Sequence, residues 1–329
     1  MKKNLASKLA ITALLVMAAL WGSTMVVIKD TLERLPATDM LAVRFSIAAA
    51  VLVVFAHKYF STDMRTIRQA VVLGLCFAGG QFFQTVGLQT TSASVSGFLT
   101  GTYVIFTPLI AGLVFGTHIR RNVWTGVGLA TVGMAALSIM PSAASSSFGI
   151  GELLTLLGAL CYGAQIVFTG MFATRENAMS LTVWQAVVLA AVCVVMATPG
   201  GITMPATLPD WGAVLYLAIL CGSVTLFLQN WAQAHVDATK AAVIMCTEPV
   251  WAAIISVAVG FEPLTARMIV GGLAIMGAML MVVAPPRGRA SVAVGTPTMS
   301  RGIVPAWRRR RAARLEYASG LDDALEQAA

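Results

Sequence analysis

Residues 9–28 read Leu9-Ala10-Ile11-Thr12-Ala13-Leu14-Leu15-Val16-Met17-Ala18-Ala19-Leu20-Trp21-Gly22-Ser23-Thr24-Met25-Val26-Val27-Ile28, a run without a single charge. As an α-helix at about 1.5 Å per residue, a run of this length is about as long as a bilayer's hydrocarbon core is thick. Lys2, Lys3 and Lys8 precede it and give it the look of a signal peptide. A secretory apolar region is shorter, however, and ends at a small-residue cleavage site. Nothing of that kind interrupts this run, which is therefore read as a retained first membrane helix.

Nine more apolar runs follow, at residues 40–55, 70–86, 98–115, 123–140, 153–172, 181–197, 211–234, 241–259 and 268–284. The composition agrees: 58% of the 329 residues are hydrophobic and 11% are charged, with a mean hydropathy of +0.82. A soluble domain carries about 25% charged residues, so lipid must solvate most of this chain. The short alternating segments of a membrane barrel are absent, which leaves helices as the spanning elements. The expected fold is an all-α membrane protein with ten transmembrane helices.

Lys and Arg set the orientation. With ten helices and a cytoplasmic N-terminus, 18 of the 22 basic residues fall on the cytoplasmic side, eight of them after residue 284. That bias follows the positive-inside rule and places both termini in the cytoplasm. The net charge of +8 is thus topogenic, and nucleic acid is not an expected partner. The tail, residues 287–329, is basic and reads as partly disordered. Trp307 and the arginines at 308–311 suit anionic lipid at the headgroup level, or a plain solvated tail.

The chain also repeats itself. Gly128-Leu129-Ala130-Thr131-Val132-Gly133 returns as Gly272-Leu273-Ala274-Ile275-Met276-Gly277, 144 residues on. Trp21-Gly22 returns as Tyr162-Gly163, and Thr107-Pro108 as Glu248-Pro249, each 141 residues on. Five spans per copy is an odd number, so the copies enter the membrane from opposite sides. Residues 1–145 and 146–286 then form a 5+5 inverted repeat, a plan common among secondary transporters, with the substrate site near the midplane between the halves.

The residues resemble those of the EamA-type members of the drug/metabolite transporter superfamily. The resemblance rests on Trp21-Gly22-Ser23-Thr24-Met25-Val26-Val27-Ile28-Lys29, on Ala42-Val43-Arg44-Phe45, and on Gly87-Leu88-Gln89-Thr90-Thr91-Ser92-Ala93-Ser94 followed by Pro108. Glu248-Pro249 and Gly260-Phe261-Glu262-Pro263-Leu264-Thr265 complete it. It covers residues 9–284 and implies a 5+5 repeat around a central cavity, with export of metabolites, amino acids or drug-like compounds. Gly116-Thr117-His118-Ile119-Arg120 departs from the Gly-Glu pair that the second half keeps as Gly260 and Glu262.

Charged groups in the spans are costly and usually face the interior of the bundle. Glu248 can bind an amine, carry a proton or make a structural hydrogen bond. Asp39 and Arg44 are read chiefly as a structural pair, local or to another helix, and otherwise as a lure for an anionic solute. Lys29 snorkels to the interface or meets substrate. Trp21 with Thr24, Gln81 with Gln84, and Tyr162 with Gln165 are each spaced to share a helix face, as are Thr225 and Gln229 beside Asn230. Such faces line a cavity or glue helices together. Tyr103 and Trp251 contact substrate or pack in the core.

The five cysteines lie singly in apolar runs, and no two histidines are placed to share a metal. No motif for a nucleotide, metal or catalytic nucleophile is found. Neither cofactor nor enzyme activity is expected. The expected function is a secondary transporter of a small organic solute. A facilitator or channel is the first alternative, and an intramembrane enzyme or receptor-like protein the second. Substrate, coupling ion and oligomeric state are not encoded in any pattern found here.

Overall fold

A computed structural model describes residues 2–59, 63–91, 93–115, 121–138, 149–258 and 264–283. The segments at 116–120 and 260–263 and the basic tail with Trp307 lie outside the described residues. Among the described residues the fold is helical, without strands. The helices are α1 (Lys2–Leu32), α2 (Ala37–Ala56), α3 (Met64–Thr90), α4 (Ala93–Gly101), α5 (Tyr103–Phe115), α6 (Arg121–Ser138) and α7 (Ile150–Phe172). They continue as α8 (Ala178–Ala197), α9 (Leu208–Ala218), a π-helical turn (Ile219–Val224), α10 (Thr225–Gln233), α11 (Ala238–Met245), α12 (Glu248–Ala258) and α13 (Ala266–Val283). The starts of three helices are fixed by side-chain oxygens that cap free backbone N–H groups: Asp63 for α3, Thr207 for α9 and Asp237 for α11.

Seven stretches are long and apolar enough to cross a membrane: Ala6–Thr24, Ala37–Ala56, Met64–Thr90, Ile150–Phe172, Ala178–Gly200, Leu208–Gln233 and Ala238–Ile255. Leu99–Val114 and Ile269–Met281 are shorter apolar helices. Their outward faces carry side chains that water would not tolerate in such number, among them Phe55, Leu113, Val195 and Leu273. The polar groups point inward instead. Thr107, Gln165, Gln185, Gln229 and Asn230 are all fully buried.

The helices pack in matched pairs. α2 lies along α8 and α6 along α13. α3 packs on α7, as α1 packs on α10; α5 packs on α7, as α1 packs on α12. α2 and α8 are both 20 residues long and begin 141 residues apart. α6 and α13 are both 18 residues long and begin 145 apart. The repeated Gly-Leu-Ala stretches meet in the α6–α13 contact: a β-carbon at Gly133 would stand 2.8 Å from the carbonyl oxygen of Gly271. Small residues let membrane helices approach this closely.

Three of the expected continuous helices are interrupted. Residues 98–115 divide into α4 and α5, which meet at Thr102, and residues 241–259 divide at Cys246 and Thr247. Residues 211–234 contain the π-helical turn. The expected match of Thr107-Pro108 with Glu248-Pro249 does not hold in register. Pro249 is the second residue of α12, where a missing N–H is not needed, whereas Pro108 is the sixth residue of α5. The first-half break falls at Thr102 without a proline.

Candidate functional site

The two breaks face one cavity. Tyr103, the first residue of α5, and Glu248, the first residue of α12, both line it. They stand 145 residues apart in the chain. The cavity encloses about 500 Å³ of empty space, part of it open to solvent. Two close helix crossings hold its walls. At Gly22 a β-carbon would stand 2.7 Å from the carbonyl oxygen of Glu248 and 2.8 Å from the amide nitrogen of Ala252. At Gly163, 141 residues on, it would stand 2.9 Å from the β-carbon of Phe106. Only glycine allows α1 to press on α12, and α7 on α5, at these points.

Trp21, Thr24, Gln81, Gln84, Tyr103, Tyr162, Gln165, Gln229 and Glu248 all line the cavity, as the helical spacing suggested. Their hydrogen bonds fix the lining. The Trp21 indole N–H reaches Thr225 Oγ1 at 3.1 Å and the Cys221 carbonyl at 3.3 Å, and its ring stacks beside Phe77. That carbonyl belongs to the π-helical turn, whose register leaves acceptors for a neighbouring helix to satisfy. Tyr162 donates to Gln84 Oε1 at 2.8 Å, and Gln84 Nε2 donates to Thr100 Oγ1 at 3.0 Å. In the second half Gln229 Nε2 donates to Gln165 Oε1, and Gln165 Nε2 to Thr169 Oγ1, both at 3.0 Å. Thr24 spends its hydroxyl on the Trp21 carbonyl of its own helix.

Other expected site residues lie elsewhere. Asn230 is not in the lining; its Nδ2 donates to Thr182 and Gln185 at 2.9 Å each, tying α10 to α8. Trp251 packs its β-carbon against Gly22, outside the lining, and its indole nitrogen is buried without a partner. Lys29 lies in α1, and its side chain is outside the described residues.

The expected Asp39–Arg44 pair is not formed. Asp39 Oδ2 accepts from the Thr203 backbone N–H at 3.0 Å. Residues five apart do not share a helix face, which explains the separation. Arg44 instead enters the cavity, 2% exposed. Its Nε donates to the Leu217 carbonyl at 3.2 Å, its guanidinium lies 4.8 Å from the centre of the Phe45 ring, and its Nη1 has no partner. The ion pairs printed by the fold are peripheral. Arg34 joins Asp30 and Asp210, and Lys240 joins Asp237. The hydrogen bond from Arg34 holds the Asp30 carboxyl below the usual carboxylate range.

Ile28, Thr100, Ile166 and Met245 complete the lining and were not anticipated. The repeat carries a signal for two of them. Thr100 and Met245 are 145 residues apart, like Tyr103 and Glu248 and like Gln84 and Gln229. Trp21 and Tyr162, and Thr24 and Gln165, are 141 apart. Ten of the fourteen lining residues are therefore pairs at the two repeat offsets. The chemistry of the lining is polar and two-signed, with apolar walls and no group of three His, Cys, Asp or Glu suited to a metal among the described residues.

Comparison with known proteins places this architecture. The model of the EamA-like transporter family matches twice, over residues 8–139 and 149–284. A chain from Archaeoglobus fulgidus named "Uncharacterized transporter" is 33% identical over 273 residues, covering 82% of this chain and 84% of that one. The Escherichia coli K12 "Uncharacterized inner membrane transporter YedA" is 24% identical over 77% of this chain and 83% of its own. A Rickettsia bellii "S-adenosylmethionine uptake transporter" is 26% identical over 64% of this chain and 70% of its own. A solved crystal structure superposes with a TM-score of 0.71 at 17% identity, over 85% of this chain and 96% of that one, and so shares the fold. With two copies of the family model spanning nearly all of the described helices, the chain is a multi-pass membrane protein of the EamA-like transporter family.

Proposed function

We propose that this protein is a secondary transporter that exports small organic solutes across the inner membrane by alternating access. Its ten membrane-spanning segments act as two five-helix units, residues 1–145 and 146–286, inserted in opposite senses with both termini in the cytoplasm. One observation carries the reading: the lining of the central cavity comes in pairs at the repeat offsets, from both units, where α4–α5 and α11–α12 break. Broken helices around a shared site are how inverted-repeat carriers expose backbone groups to solute and rock about it. The matched packing of α3 on α7 and α1 on α10 gives each unit a like partner surface in the other. In this reading Glu248, Arg44 and the glutamines bind the solute, while the aromatic rings shape its apolar part. YedA's name supports the inner membrane as the location. The Rickettsia relative's name supports an organic solute as cargo and shows that uptake can run on a related chain.

A resistance screen tests this. Cells expressing the protein are challenged with toxic amino acids, their analogues and dyes. Protection against one chemical group, lost in Glu248→Ala at equal expression, is the expected result. Sensitisation in place of protection would reverse the direction of transport. No effect of the protein on any compound's accumulation would remove the proposal.

A further inference from the structure

Arg44 and Glu248 are opposite charges in the same cavity, and they do not pair. Among the described residues no carboxylate lies within 4.0 Å of the Arg44 guanidinium, and no basic nitrogen within 4.0 Å of the Glu248 carboxylate. Both side chains are buried, at 2% and 9% exposure. The carbonyl of Leu217 and the ring of Phe45 engage part of the Arg44 head, and neither carries a negative charge. Two further polar atoms of the lining lack partners: the Tyr103 hydroxyl, a donor, and Gln229 Oε1, an acceptor.

Burying an ion without a counter-ion is costly, and the cost is relieved only when the missing partner is supplied with good geometry. Here a cation and an anion are held apart in one dry space. A solute with one charge satisfies one of them and leaves the other unpaired. A neutral solute satisfies neither. A solute with a carboxylate at one end and an ammonium at the other satisfies both. Its carboxylate offers acceptors to Arg44, with the spare Tyr103 hydroxyl as a further donor, and its ammonium offers donors to Glu248, with Gln229 Oε1 as a further acceptor.

Resting on the transporter reading, we infer that the cavity selects zwitterionic amino-acid-type solutes, with Arg44 holding the carboxylate and Glu248 the ammonium. Trp21, Tyr162 and Ile166 supply apolar surface for the solute's side chain. Selection works by exclusion as much as by attraction, because each singly charged analogue strands a buried charge.

The test uses the full chain in lipid nanodiscs and sets of three compounds that differ only in charge. Each set pairs a free amino acid with its decarboxylated amine and its deaminated acid; phenylalanine, phenethylamine and 3-phenylpropanoate form one, and the leucine and methionine sets form two more. Binding is read as protection against heat unfolding. In at least one set the amino acid is expected to act at a concentration at least tenfold below both relatives. Arg44→Gln should bring the amino acid to the level of the amine, and Glu248→Gln to the level of the acid. If Arg44→Gln does not fold, the wild-type comparison decides alone. Amines, acids or neutral compounds binding as well as the amino acid in every set would overturn the zwitterion assignment and leave the transporter reading standing. So would no binding in any set. The transporter reading fails separately, if the tightest binder shows no counterflow in proteoliposomes.

Discussion

The break between α4 and α5 and the break between α11 and α12 stand at matching places in the two halves, yet they carry different chemistry. The first ends in Tyr103, an aromatic ring whose hydroxyl has no partner. The second ends in Glu248, an acid followed by a proline that suits the first turn of α12. The same scaffold thus offers a neutral group from one side and a charge from the other. Arg44 sharpens the contrast, since the position 141 residues on is Gln185, which accepts from Asn230 and serves packing. A repeated fold makes a symmetric cavity, and a few substitutions make it bind an asymmetric solute.

The glycine crossings offer the strongest way to break this comparison. Gly22→Leu drives a side chain into the backbone of α12, and Gly163→Leu drives one mainly into the β-carbon of Phe106. Overpacking of this kind costs about 3 kcal/mol where backbone must move and less where a side chain can yield. Thermal unfolding in nanodiscs should show a large loss for Gly22→Leu and a smaller one for Gly163→Leu. Equal stability of both variants and wild type would mean the crossings do not hold the walls.

Next in size is the contrast between the two breaks. Glu248→Gln should lower initial transport rates at least tenfold, roughly 1.4 kcal/mol of lost binding in the rate-limiting complex, whereas Tyr103→Phe should change them about twofold. The reverse order would move the chemistry to the first half. Asn230→Ala separates packing from binding. It frees Gln185 and Thr182 of a donor, so stability should fall by about 1 kcal/mol while half-saturating solute concentrations stay put. A shifted solute concentration at unchanged stability would put Asn230 in the site.

The smallest effect is expected at the edge of the bundle. Arg34 depresses the Asp30 carboxyl, so the pair stabilises the fold above the ordinary carboxylate range and loses that contribution as pH falls through the lowered value. Arg34→Ala should therefore lower the unfolding midpoint slightly near neutral pH. The gap should close in strong acid. A gap that widened in acid would contradict the assignment.

The spans were readable because lipid demands long apolar runs, and all ten expected segments fall on helix. The interruptions were not, because α4–α5 breaks at Gly101-Thr102 without a proline, and the π-helical turn at 219–224 reads as ordinary apolar helix. Nine of the eleven expected binding residues line the cavity, since helical spacing reports which residues share a face. Spacing does not report what the face meets. Asn230 follows Gln229 directly, yet it turns to Gln185 and Thr182 on α8. Arg44 lies in a run where a charge could reach either a partner or a cavity, and only the fold shows that Asp39 is committed to Thr203. Thr100 and Met245 are unremarkable alone and become visible through the 145-residue offset.

Solute counterflow in proteoliposomes tests the central claim most directly. Vesicles with the purified chain are preloaded with an unlabelled solute found in the resistance screen, and the labelled solute is added outside. Transient accumulation of label above its equilibrium level, saturating with concentration and at least tenfold weaker in Glu248→Gln, is what alternating access through the cavity predicts. Flux that never saturates, or accumulation untouched by Glu248→Gln, would contradict it.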